Sequence, residues 1–164
     1  MLVLLITLFF SLSVFSQHIP GAFGIDFGTH IKDIDVVDES KTSGGTVVYI
    51  VLPPHRVPFV KTYAVETTPR SKKVYAIWGR GEVSSKEECV QLVEDVAKRM
   101  EKEFGVKKKK PPFKAIGYYF VAGNRFAIVK CLNDNGAWNI YLQFYDGELE
   151  ELAKREQQEL NKDR

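Results

Sequence analysis

The chain has 164 residues, 45% of them apolar and 27% charged, which suits one domain with a real hydrophobic core. Its formal charge of +2 is too small to argue for a nucleic-acid partner, and none is expected.

The N-terminal stretch Met1 to Phe15, MLVLLITLFFSLSVF, carries no charged side chain. It is long enough for the apolar core of a signal peptide and short for a membrane span, which needs about 20 residues. Val14 and Ser16 are small residues where a signal peptidase wants them, so cleavage is expected after Ser16. That leaves residues 17–164 as a single domain, exported to the periplasm or secreted. The departure from the pattern is the lack of Lys or Arg in the first residues, and an uncleaved anchor is the other reading. No cysteine lies near the cleavage point, which disfavours a lipid anchor.

Cys89 and Cys131 are the only cysteines. In an oxidising compartment they form a disulfide candidate, worth about 4 kcal/mol through loop closure. Two buried free thiols are the alternative. Neither has a second Cys or a His at zinc-ligand spacing. The chain carries no Asn-x-Ser/Thr sequon, which fits a bacterial source.

After the signal, Gln17 to Gly28 is rich in Gly and aromatic residues and reads as an irregular, partly buried approach. Thr29 is a helix-cap candidate ahead of a short HIKDID turn, and Asp35 to Gly45 reads as a polar connection. Three strands are expected next. Val47 to Leu52 is stopped by Pro53-Pro54; residues 59–66 alternate with a period of two; and Lys73 to Gly79 follows turn material. Gly79-Arg-Gly81 is expected to break the sheet.

Ser85 to Phe104 is the central helix. Cys89, Leu92, Val93, Val96, Met100 and Phe104 recur at spacings of three and four, Ser85 and Glu88 stand as a capping box, and Gly105 is a C-terminal stop. VKKKKPP then reads as a charged loop. Three further strands follow, over Lys114 to Val121, Phe126 to Leu132 and Ala137 to Tyr145, joined by Gly-Asn and Asn-Gly turns as a meander. Glu148 to Asn161 is a last helix with a thin stripe of Leu149, Leu152, Ala153 and Leu160. The expected fold is α+β: two three-stranded antiparallel sets packed on a central helix, with a C-terminal helix.

Gly24-Ile-Asp-Phe-Gly28-Thr, then Pro53-Pro54, Phe59, Tyr63, Thr67-Thr-Pro69 and Val74-Tyr-Ala-Ile77, resemble a recurring kind of small exported bacterial α+β protein of uncharacterised function. Such proteins open with GI-x-FG-T and continue through PP, F, Y, TP and V-x-x-I ahead of a helix. The match covers about residues 21 to 105. The resemblance implies export and brings no catalytic residue with it.

No stretch has the spacing of a catalytic or cofactor motif, and no cofactor is expected. His30, Asp33 and Asp35 form H-x-x-D-x-D, which offers nitrogen and oxygen ligands to a divalent ion, against the reading of a solvated turn. A small hydrolase or metal-dependent enzyme using His30, Asp33 or His55 is therefore the alternative to the leading expectation. That expectation is a non-enzymatic interaction domain with a protein partner in the envelope or outside the cell. Its candidate contact residues are Lys107, Lys108, Lys109 and Lys110, with Tyr141 and Tyr145 on the last strand. The lysine run also allows weak contact with a membrane surface. Tyr118, Phe120, Tyr141 and Tyr145 read either as a stacking platform or as parts of a packed sheet. The oligomeric state is open.

Overall fold

The computed structural model describes residues 17–42, 46–112 and 115–162. The expected signal segment lies outside these residues, as does Lys114, the first residue of one expected strand. The elements run as follows: β1 (Gly21–Ala22), β2 (Ile25–Asp26), a 3-10 turn (Ile31–Asp33), β3 (Val36–Lys41), β4 (Val47–Val51), β5 (Thr62–Thr67) and β6 (Val74–Val83). Then come α1 (Lys86–Phe104), β7 (Ile116–Ala122), β8 (Arg125–Asp134), β9 (Ala137–Asp146) and α2 (Gly147–Lys162). β1 and β2 form a two-stranded ribbon. The other strands form one seven-stranded antiparallel sheet in the order β3-β4-β5-β6-β9-β8-β7. This is an α+β fold, but not with two separate three-stranded sets. A four-stranded meander and a three-stranded one are fused along β6 and β9, which pair over residues 76–83 and 138–145.

Two features of this sheet were missed in the sequence. Val36–Lys41, expected as a connection, is a strand whose six residues are all exposed, so it carries no burial alternation to betray it. Gly79 and Gly81 lie inside β6 rather than breaking it. A Cβ on Gly81 would stand 1.8 Å from the Phe59 carbonyl oxygen, and one on Gly79 would stand 2.8 Å from the Phe23 ring. The glycines let other chain segments cross close over the strand, which is the other reason a strand carries glycine.

α1 packs on β7, β8 and β9 and more lightly on β6, and buries Cys89, Val93, Val96, Ala97, Met100 and Phe104. Each large apolar side chain buried here contributes on the order of 1.5–3 kcal/mol. The Ser85 hydroxyl accepts from the Glu88 N–H at 3.1 Å, while the Glu88 carboxylate accepts from the Ser84 N–H at 2.8 Å, one residue short of the expected reciprocal box. Gly105 ends the helix at φ 64°. The Cys89 and Cys131 sulfurs are at bonding distance, with their Cα atoms 6.0 Å apart, so the disulfide ties α1 to β8.

The N-terminal approach completes this side of the core. Ile19, Ile25 and Phe27 are buried, and the Phe23 ring stands edge-on to Tyr63 and Phe144 with centroids at 4.9 and 5.8 Å. Arg125 fastens the approach: its Nη1 donates to the Ile19 carbonyl at 3.0 Å and its Nε to Asp146 at 2.7 Å. His30, not Thr29, caps the 3-10 turn, its Nδ1 accepting from the Lys32 N–H at 3.1 Å.

Candidate functional site

Side chains alternate across a strand, so the residues between the core positions face away from α1. Paired registers set them in rows. Ala76, Tyr145, Phe126 and Val121 form one row; Trp78, Gln143, Ile128 and Tyr119 the next; Arg80, Tyr141, Lys130 and Gly117 a third. α2 covers only the first row and its surroundings, through Leu149 and Ala153 against Tyr75, Ala76, Trp78 and Tyr145. Beyond Trp78, which packs against α2, the second row and the third are not covered by either helix. Their side chains are half-buried by one another, with Arg80 exposed.

The rings on this face are already engaged. Phe126 stacks on Tyr145 at 4.7 Å with planes 18° apart, and Trp78 tilts against Tyr145 at 6.4 Å. The Arg80 guanidinium sits 5.7 Å from the Tyr141 ring centre, and its Nε donates to the buried Asn139 side chain at 3.0 Å. Tyr141 donates its hydroxyl to Asp134, which also lies 3.9 Å from Arg80 Nη2. Burial and this acceptor raise the Tyr141 hydroxyl above its usual range, partly offset by Arg80. Burial and the nearby carboxylates Glu66 and Glu150 push Tyr145 up to about 12. Both phenols stay protonated at neutral pH and act as donors or contact surface.

Tyr141 and Tyr145 thus share the face expected of them, but Tyr118 and Phe120 do not join it. Phe120 is fully buried on the α1 side against Phe104, so the four rings form no common platform. The lysine run is not a free loop either. Lys108 pairs its ammonium with Glu94 and donates its N–H to Glu101 at 3.0 Å. Lys108 and Lys110 bracket the Tyr118 ring at 4.5 and 3.9 Å. Lys109 exchanges two backbone hydrogen bonds of 2.9 Å with Tyr119, which places its side chain on the open face beside Tyr119. Lys107 is exposed.

A second concavity, of about 710 Å³, lies between α2 and the start of β4, lined by Lys41, Lys72, Tyr75, Glu150, Lys154 and Gln157 among others. Beneath it Tyr75 donates to Glu66. Burial raises the Glu66 carboxyl, Tyr75 opposes the rise, and Glu150 adds to it. That hydrogen-bonded pair is committed to itself. His30 spends its ring on a turn, and the His55 backbone bonds to Phe23. Among the described residues no three His, Cys, Asp or Glu side chains are placed to hold a metal ion, and no described helix is long and apolar enough to cross a membrane. Comparison of the chain with protein-family models, with curated proteins and with solved structures finds no match.

Sequence reasoning missed Glu156. Its carboxylate accepts from the Arg70 and Ser71 N–H groups at 2.6 and 3.0 Å and from the Ser71 hydroxyl at 2.6 Å. The signal was there: Leu149, Ala153, Glu156 and Leu160 follow helical spacing, so a charged residue occupies a stripe position of α2.

Proposed function

We propose that this chain is an exported, non-enzymatic interaction domain that docks a protein partner of the bacterial envelope or secretome on the open face of its sheet. The observation that carries the reading is the part of two rows formed by Gln143, Ile128, Tyr119 and Tyr141, with Arg80 and Lys130, left uncovered by both helices. Apolar rows bounded by cations and amides match the make-up of protein interfaces, where aromatic residues and Arg are enriched. Rings stacked on each other or on Arg80 favour a protein over bases or sugars, which need a free ring face. A disulfide within the core supports passage through an oxidising compartment, and the apolar leader ending at Ser16 supports the route.

The test is crosslinking in the source cell with a photoreactive residue placed at Gln143 or at Ile128, and for comparison at Gln91 on the outer side of α1. A discrete adduct from the first two sites and none from the third supports the reading. Equal adducts from all three sites, or none from any, refute it.

A further inference from the structure

The two edges of the seven-stranded sheet are finished differently. Along β7 the chain itself supplies a cover, through the backbone pairing of Lys109 with Tyr119. At the other edge β3 pairs with β4 alone, and both of its faces are exposed. In an antiparallel ladder, successive residues aim their N–H and C=O groups alternately at the partner strand and away from it. The Thr42 N–H donates to the Thr46 carbonyl at 2.9 Å, in the register that opposes Lys41 to Val47 and Ser40 to Val48. Thr42, Ser40 and Asp38 therefore spend their backbone groups on β4. Glu39 and Lys41 aim theirs outward, where the Glu39 N–H donates to the Asp38 carboxylate at 2.8 Å, a bond that an incoming strand replaces. A bulge between Val36 and Asp38 interrupts the alternation, so the stretch able to receive another strand begins at Asp38.

Charged residues on an edge usually deter pairing, because a second strand brings like charges together. Here the outcome depends on register. A second copy of β3, laid antiparallel, can match outward groups to outward groups with a two-fold axis at Ser40. Glu39 of each copy then stands opposite Lys41 of the other. Sliding one copy by two residues opposes Glu39 to Glu39 in one direction and Lys41 to Lys41 in the other. Only the centred register is both hydrogen-bonded and charge-matched. We propose that the chain forms a two-fold dimer by antiparallel pairing of β3 with β3 of a second copy, centred on Ser40 and held by reciprocal Glu39–Lys41 pairs.

The dimer continues the sheet across the axis. Its edge lies strands away from Trp78 and Tyr141, so it is independent of the partner-docking reading and leaves that face open. One short strand per copy buries less than the roughly 800 Å² per partner of a standard interface, so the association is weak and concentration-dependent.

The experiment is sedimentation velocity on the full chain, expressed through an export route so that it matures and oxidises in place, over ~5 to ~500 μM. The mass should double across that range. Glu39→Lys or Lys41→Glu alone should weaken the dimer by about tenfold or more, and the charge-swapped double variant should restore it. All of these side chains are exposed, so folding is not at stake. A monomer throughout, a dimer indifferent to Glu39→Lys, or a double variant that stays dissociated overturns the proposal. A second readout fixes the axis. Ser40 would face its own mate in a non-hydrogen-bonded pair, with Cα atoms about 4.5 Å apart, a separation a disulfide can bridge. Both native cysteines are bonded to each other. Oxidised Ser40→Cys should therefore give a covalent dimer, while Asp38→Cys, whose mate would be Thr42, should not; equal yields from the two overturn the register.

Discussion

Replacing Glu156 by alanine should release α2 from the sheet while leaving the rest of the domain folded. α2 buries little apolar surface: Ala153 is buried and Leu149 partly so. The polar anchor is the Glu156 carboxylate, which receives three donors from the 70–71 turn. Hydrogen bonds to a charged group contribute about 1.5–3 kcal/mol each, but the turn amides regain water once the carboxylate is gone, so the loss is about 3 kcal/mol in all. At 1.4 kcal/mol per factor of ten, amide exchange protection across α2 should fall roughly a hundredfold, with β8 and β9 little changed. The pH dependence carries a sign. Burial alone would raise the Glu156 carboxyl, but the Ser71 hydroxyl, the Ser71 N–H and the Arg70 N–H outweigh it and hold the group below its ordinary value of 4.5. A depressed carboxylate contributes stability that is complete above the unfolded pKa and lost as pH falls through the folded one. Wild-type α2 should therefore hold at neutral pH and loosen progressively as pH falls below about 4.5 through the folded-state pKa, and the difference between wild type and Glu156→Ala should narrow over that range. Hydrogen exchange followed by mass spectrometry reads both effects. A fall in α2 protection under threefold, or an equal fall in α2 and β9, would refute the reasoning.

Three further outcomes follow from the packing. Replacing both Cys89 and Cys131 by alanine opens a loop of sequence separation 42 and should cost about 4 kcal/mol, measured by urea unfolding; a loss under about 1 kcal/mol would contradict the crosslink's role. Gly81→Ala forces a methyl against the Phe59 carbonyl and should cost about 3 kcal/mol or more, with Gly79→Ala milder because the Phe23 ring can turn aside; equal melting temperatures for the two variants would contradict this. Asn135 holds φ 53° in the β8–β9 turn, so Asn135→Ala should cost about 1 kcal/mol and Asn135→Gly almost nothing, read from thermal unfolding.

Legibility in the sequence tracked burial. α1 announced itself through a stripe, a cap and a stop, and the β7–β9 meander through Asn-Gly and Gly-Asn turns between alternating runs. What stayed hidden had no local signature. β3 is exposed on both faces, so its residues read as a connection. Gly79 and Gly81 look like breakers, because the segments that cross over them are distant in sequence. The β6–β9 ladder joins strands some sixty residues apart, and no period within either strand indicates the other. The lysine run looked like a solvated loop because Glu94, Glu101 and Tyr118, which hold it, sit on other elements. Tyr141 and Tyr145 were correctly set on one face, yet the side to which α1 docks was not readable from alternation alone.

The open face follows from a mismatch of dimensions. Seven strands at about 4.8 Å spacing make a sheet about 29 Å wide, and a helix with its side chains covers about 10 Å of that width. On one side the N-terminal approach adds Ile19, Ile25, Phe27 and the Phe23 ring to the core that α1 covers, with Phe23 edge-on to Tyr63 of β5 and Phe144 of β9. Among the described residues the other side has no such second layer. α2 leaves the end of β9 at once, because Asp146 accepts the Leu149 N–H at 3.1 Å and turns the chain across the sheet end instead of along its strands. Ile128, Tyr119 and Tyr141 are thereby left without a helix over them. These rows are the surface proposed for the partner, and the open β3 edge proposed for a second copy lies three strands from β6 across the same sheet.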